Sequence, residues 1–457
     1  MTARVGAGPL PVEDERARAA AEAVLDQRGA DGIEVVVIAS DTGVTRYAAS
    51  EIIQNIERHE VRAFIKAVVG NRVATATTNQ LDKELMRDAA RMAVEAATRS
   101  LPDPDWTGLA TPAEVGRAEG IWRWDETTAA TSPLARAASV AEVVGIAGDD
   151  AAGVFETSAH AYGIYSSTGI SCFDAHTRCV VTCLVTKDGA TGWAEGSSFR
   201  HEQVDVESVA QRAADKAHRG SPIAEVEPGA YPVVLEAPAA SVLLDYLAYA
   251  GFGAKQMVED ESFFSTRKDQ MVAASNVVVA DDAAHDFSIG IGFDFEGVPR
   301  RRVDVIRDGV AVGPVTDRRT ARQLNTEVTG HGSGSNEFGP YAANVVMEPG
   351  STTSEELPAG IDDGLLVTRF HYVNILDRPT TLLTGMTRDG TFRIRNGEVA
   401  EPVRNLRFTQ SALDALRDTT AVGADMTCFA PEFSSFGSTA APSLRVSEFN
   451  FTSTTTH

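Results

Sequence analysis

Histidines, cysteines and closely spaced carboxylates are the side chains here that could do chemistry. Cys172, His176, Cys179 and Cys183 follow one another as Cys-x3-His-x2-Cys-x3-Cys, a spacing that matches no common Cys-x2-Cys knuckle. The stretch reads as a strand. Alternation then puts Cys179 and Cys183 on one face and Cys172 and His176 on the other. Cysteine is a good buried strand residue, so packing is favoured over a metal. His331 sits in a glycine-rich loop, GHGSGSNEFG from Gly330 to Gly339. There it is either an acid, base or ligand, or an exposed loop residue. His371, in TRFHYVN with Asn374 close behind, is either packed between Phe370 and Tyr372 or turned toward a substrate. Cys428 is a buried packing residue or a third ligand.

Two further clusters are polar. In FDFEGVPRRR, Asp294 and Glu296 have strand spacing and share a face. They could do acid–base work or hold a cation, or they could form an ion-pair ladder with Arg300–Arg302 at little net energy. In TDRRTAR, Arg318 and Arg319 either meet a substrate or form a solvated surface. The candidate catalytic residues are thus His331, Asp294 and Glu296. The candidate substrate contacts are His371, Asn374, Arg318, Arg319 and Gly330. The candidate metal ligands are His331, His371 and Cys428.

The elements that must position these residues follow from periodicity. An alanine-rich helix runs from Pro11 to about Gln27, with Glu13, Asp14 and Glu15 at its positive end. Ile33–Ala39 is a strand ending in a Ser-Asp-Thr-Gly turn, and Thr45–Ile56 and Arg62–Val69 are two more. Leu81, Leu85, Ala89, Met92 and Ala96 share one face, which predicts an amphipathic helix over Gln80–Ser100. A connector spans Leu101–Ala113, and helices are expected over Ser132–Gly145 and Val204–Ala217. Ser221–Gly229 (SPIAEVEPG) is the best domain boundary. Beyond a strand at Tyr231–Glu236 and a helix over Ala239–Ala250, the chain is mostly strands with Gly-rich turns. Asp188-Gly189, Asp308-Gly309, Asp389-Gly390 and Asn396-Gly397 all carry the signal for two-residue turns. The expectation is an α+β protein of two domains: residues 1–225 form an α/β domain, and residues 226–457 form a domain dominated by antiparallel β-sheet.

A chain of 457 residues has room for two or three such cores. Its net charge of −23 repels phosphate backbones and anionic lipid, so nucleic acid and membrane surfaces are poor partners. The four cysteines make no disulfide framework. No apolar signal segment opens the sequence and no apolar run is long enough to span a membrane, so a reducing cytoplasm is the default expectation. No GxGxxG, GxxxxGK[ST], GxSxG or HExxH occurs, so no common cofactor fingerprint is present.

The serial order of the motifs carries more than any one alone. FDFEGVPRRR is followed by VIRDGVAVG, TDRRTAR, the Gly-His-Gly loop, NVVMEPGS, GLLVTRF and LLTGMTRDGTFRIRNGEVAEPV. Together with TRYAASEIIQNIE and VVGNRVATATTNQLD in the first half, this resembles the TldD/TldE (PmbA) family over nearly the whole chain. The resemblance implies an α/β first domain and a β-rich second one. It also implies a metallopeptidase complex in which one subunit type carries zinc. That zinc would be held by His-Glu-x-x-x-His on the helix after the first strand of the second domain, plus a cysteine near the C-terminus. The glutamate would serve as base toward a zinc-activated water.

This chain departs from that motif. The corresponding helix reads APAASVLLDYLAYAGFGAKQ, with Asp245 as its one acid and no histidine. The expectation is therefore a TldE-like subunit without a zinc site of its own, in a hetero- or homodimer with a TldD-type subunit, acting on unfolded or small peptides. Zinc, where present, would belong to the partner. The second domain could receive an extended peptide by strand addition. The alternative is a stand-alone hydrolase or natural-product tailoring enzyme with a site relocated to His331 and His371. A non-enzymatic modulator of another protein is the third reading.

Overall fold

The computed structural model describes residues 10–219, 222–433 and 436–455. Met1–Pro9, Ser221 of the expected boundary, and Thr456 of the threonine-rich tail lie outside them. The fold is α+β, built on two sheets.

The first sheet has six antiparallel strands in the order β3-β2-β1-β4-β5-β6. They are β1 (Gly32–Ala48), β2 (Glu51–Val69), β3 (Arg72–Thr78), β4 (Asp150–Ser166), β5 (Ser171–Lys187) and β6 (Ala190–Ser198). Alternation divides its faces. Ile33, Val35, Val37, Ala63, Ile65 and Ala67 point one way and pack under helices Asp14–Glu22 and Lys83–Arg99. Asp82 caps the second of these by accepting from the amides of Glu84 and Leu85. Farther along the same face, Cys179, Val181 and Cys183 lie under helices Pro133–Ala147 and Val206–Ala217. Cys172 belongs to a different cluster, with Ile164 and Phe293. The cysteine row is therefore split by strand parity, and all four cysteines are free and buried.

The turn expected at Ser40–Gly43 does not form. β1 runs straight through it, and the chain reverses at Ala49–Ser50, both at positive φ. Gly43 serves close packing instead: a Cβ there would lie 2.1 Å from the guanidinium of Arg136, which is buried beside it.

The second sheet runs β10-β9-β8-β11-β17-β15-β13-β12-β7, with β14 on β13 and β16 on β17. Its strands are β7 (Gly229–Leu235), β8 (Val279–Asp281), β9 (Val303–Arg307), β10 (Val310–Ala311), β11 (Asn344–Met347), β12 (Asp363–Asp377), β13 (Leu382–Arg395), β14 (Glu398–Pro402), β15 (Leu406–Ser411), β16 (Thr419–Phe429) and β17 (Ser438–Thr454). Because β17 also pairs with β7, strands β7, β12, β13, β15 and β17 close into a ring. Such closure removes the ring's free edges, so strand addition has no place there.

Asp188-Gly189, Asp308-Gly309 and Asn396-Gly397 form the two-residue turns their sequences call for, with both residues at positive φ. Asp389-Gly390 does not. It is an irregularity inside β13, and the hairpin from β12 to β13 turns at 378–381 instead. The stretch from Phe370 to Gly385, which carries His371 and Asn374, is thus mostly strand. No described helix is long and apolar enough to cross a membrane.

Candidate functional site

The helix Ala237–Leu247 follows β7 and starts with Pro238 in its first turn. It continues as a π-turn over Ala248–Phe252 and stops at Gly253. Leu243, Leu244 and Leu247 are fully packed, each contributing about 1.5–3 kcal/mol relative to exposure. Asp245 is buried with them and is fully engaged. It accepts from the amide of Glu432 at 3.0 Å and from the hydroxyl of Thr439. Burial, outweighing those two hydrogen bonds, pushes its carboxyl up to about 7. The Tyr246 hydroxyl donates to the Val373 carbonyl, and Tyr249 stacks on Phe433 at 4.5 Å. This helix is a structural bracket.

His331 is buried, contrary to the exposed-loop alternative. Its Nε2 meets Asp281 Oδ1 at 2.8 Å and its Nδ1 meets Thr329 Oγ1 at 2.8 Å. Burial raises the Asp281 carboxyl, but His331, Arg300 and the Asn344 amide outweigh it and hold it low. Both ring nitrogens are spent within the fold, which leaves none for a metal. Gly330, at φ +75°, has Pro299 O 2.2 Å from where a Cβ would stand, so it serves a tight turn and not a substrate.

Asp294 and Glu296 do not lie on one strand. They sit in the turn that Phe293 and Pro299 close. Asp294 organises that turn, accepting from Glu296 N and Val298 N at 2.9 Å and from Gly332 N at 2.7 Å. The expected ladder with the arginines is absent among the described residues. Arg301 pairs with Glu327, and Arg302 with Asp282, Asp304 and Glu348. Arg300 lies 3.9 Å from Asp281. Arg318 and Arg319 turn away from any open site as well. Buried Arg318 grips Glu114 at 2.9 Å and Gly108 O at 2.6 Å, and Arg319 pairs with Asp103. Both staple the connector to the second domain.

His371 is half-buried on β12, opposite Met386, with its ring 4.5 Å from Tyr372. Burial, with Arg388 and Arg369 nearby, lowers its pKa against the opposing Asp389 and Glu432. Asn374 lines a shallow cavity of about 340 Å³ with Tyr246, Tyr249 and Phe433. Cys428 is opposite Ala440 on β17, so it faces away from Thr439 and its partner Asp245. Burial holds its thiol up at about 11.

The open chemistry lies elsewhere, on the helix-free face of the first sheet. Registered rows cross that face: Lys66–Glu34, Phe64–Val36–Ile164, Arg62–Ile38–Tyr162, Glu60–Ser40–His160–His176 and Arg58–Thr42–Ser158–Arg178. They floor a groove that the second domain roofs with Phe295, Glu296, Ser333 and Phe436. Two cavities, of about 610 and 650 Å³, meet over Ile38, Phe64 and Phe295. Burial, with Asp294 and Asp317 close by, pushes the Glu296 carboxyl up to about 8 against Lys66 and Arg318. Of the expected catalytic residues, Glu296 alone lines these two cavities. Strands expected to end at Ile56 and restart at Arg62 leave Glu57–Val61 between them, which hides the single strand β2 that carries the groove's arginine row. Yet Arg58-x-Glu60-x-Arg62-x-Phe64-x-Lys66 alternates with period two, and that signal was present.

The two domains are tied around this groove by a residue the sequence hid. The Asp174 carboxylate accepts from the amides of Ile121, Trp122, Ala175 and Gly292 at 2.8–2.9 Å.

Residues 228–453 match the PmbA/TldA metallopeptidase C-terminal domain. A metalloprotease of Methanothermobacter thermautotrophicus is 24% identical over 49% of this chain and 49% of its own. A metalloprotease TldD homolog of Buchnera aphidicola is 26% identical over 44% of this chain and 42% of its own. The crystal structure of TldE from Thermococcus kodakarensis superimposes with a TM-score of 0.82 at 19% identity, covering 96% of this chain and 99% of that one. The chain belongs to the TldD/TldE (PmbA) family. It spans about half the length of the curated relatives it matches.

The zinc set that the TldD/TldE resemblance implies does not fit these residues. Its helix offers one carboxylate, spent on Thr439 and Glu432. The cysteine in the expected region faces the other side of the sheet from that carboxylate. Among the described residues, no group of three or more His, Cys, Asp or Glu side chains stands close enough together to hold a metal ion.

Proposed function

We propose that this chain is a TldE-like subunit of a TldD/TldE-type metallopeptidase complex, without a zinc site of its own. The observation that carries the reading is the bracket at Asp245. Where the family's metal subunit would need two imidazoles and a base, this helix presents a carboxyl sealed by Thr439 and Glu432. Such a residue can neither bind a metal nor reach a water without dismantling the packing around it.

The subunit would contribute a peptide path instead of chemistry. The groove between the two sheets is long, open and lined by alternating side chains, which suits an extended chain. The metalloprotease names of its relatives support a peptide as the substrate class. The test is co-expression with a homologue bearing His-Glu-x-x-x-His, followed by gel filtration. The two chains should elute together with peptidase activity. A homodimer of this chain that cleaves peptides unaided would overturn the proposal.

A further inference from the structure

The groove is electrically polarised along its length. One end is lined by Arg46, Arg58, Arg62 and Arg178 against Glu60 and Glu156. The other is lined by Glu34, Glu296 and Asp317 against Lys66. Lys66 is already paired with Glu34 at 2.6 Å. The middle is apolar: Ile38, Phe64 and Phe295. An arginine-lined end is unexpected in a chain of net charge −23.

The arginine end is only partly paired: Glu156 faces Arg178, Arg46 and Arg58. Among the described residues, Arg46 and Arg62 make no ion pair, and Arg58 makes only an exposed one, at 3.1 Å with Glu60. Arg178 is buried and donates to the Gly437 carbonyl, yet its Nε has no partner. In the row Arg58–Thr42–Ser158–Arg178, two hydroxyls stand between two guanidiniums. Beside that row, the rings of His160 and His176 lie 4.9 Å apart, tilted at 31°. His176 is fully buried with neither ring nitrogen hydrogen-bonded. Burial first, and Arg178 second, keep His160 uncharged down to about 3. The positive charge at this end is therefore arginine alone, permanent and planar, the geometry that holds a carboxylate by paired hydrogen bonds.

From Glu34 to Thr42 the floor spans eight strand steps, about 27 Å. That length takes an extended peptide of about eight residues. Resting on the peptide-binding reading above, we infer that the groove recognises short peptides by their free ends, with the C-terminal carboxylate at Arg58, Arg62 and Arg178 and the amino terminus toward Glu34 and Glu296. The aromatic middle takes side chains without discriminating among them. Polarity fixes the direction in which a peptide lies, and length is limited by the distance between the two charged ends.

The test is calorimetric titration of the full chain at low salt with an octapeptide of alternating alanine and leucine, as free acid, as C-terminal amide and as N-acetyl acid. The free acid should bind at least tenfold more tightly than the amide, and acetylation should weaken it severalfold. In the Arg58→Ala, Arg62→Ala double variant, whose altered side chains are exposed and spare the fold, the acid-to-amide ratio should fall below threefold. Acid and amide binding within twofold of each other in the unaltered chain would overturn carboxylate recognition and leave the peptide reading standing. Acetylation without effect would overturn the assigned direction. No binding of any of the three would overturn the peptide reading itself, and this inference with it.

Discussion

Asp245 is a buried carboxyl held by the Glu432 amide and the Thr439 hydroxyl. Its carboxyl is raised to about 7 by burial, above the 3.8 of an exposed aspartate. Between those two values the folded chain binds more protons than the unfolded one. Stability therefore falls as the pH rises through that window and levels off above it, by at most ~1.4 kcal/mol per pH unit. Asp245→Asn mimics the protonated carboxyl and removes this slope. Comparing chemical denaturation at pH 5 and pH 8, the variant should gain on the unaltered chain at the higher pH. A difference that stays constant would mean the carboxyl is ionised within the fold. Asp245→Ala differs in kind: it strands the Thr439 hydroxyl and the Glu432 amide and should cost about 1–3 kcal/mol at either pH. That Asp245 is the helix's one acid was plain in the sequence. That it is engaged was not, because Thr439 and Glu432 lie almost two hundred residues away.

At the scale of elements, two contacts decide geometry that local pattern missed. Ser-Asp-Thr-Gly reads as a turn, yet β1 continues because Gly43 makes room for the buried Arg136. Gly43→Ala should cost about 1–3 kcal/mol by overpacking, and most of that loss should vanish against an Arg136→Ala background. Additive losses in the double-mutant cycle would separate the two residues. The connector tells a similar story. Its Pro, Asp and Thr content marks it as a linker, but Arg318 and Arg319 hold it through Glu114, Gly108 and Asp103. Arg318→Ala should make Leu101–Ala113 markedly more sensitive to limited proteolysis while leaving both sheets intact. Unchanged cleavage would remove the stapling role. Two-residue turns were legible wherever both residues take positive φ by local need, as at Asn396-Gly397. Asp389-Gly390 carries the same kind of signal, yet β12 pairs with β13 on both sides of it and leaves only an irregularity.

At the scale of the whole molecule, the two-sheet architecture and the family were readable because motif order survives where identity is low. The groove was not. It exists only where the open face of the first sheet meets Phe295, Glu296 and Phe436 from the second domain, and no single stretch of sequence holds both walls. The central claim is that metal chemistry in this system belongs to another chain. The most direct measurement is zinc content together with chelator-sensitive peptidase activity, for the purified chain alone and for its complex with a His-Glu-x-x-x-His-bearing homologue. The account predicts well under one zinc and no chelator-sensitive activity for the chain alone, and about one zinc per heterodimer with activity that chelation abolishes. One tightly held zinc in the chain alone, with peptide hydrolysis lost on its removal, would contradict it.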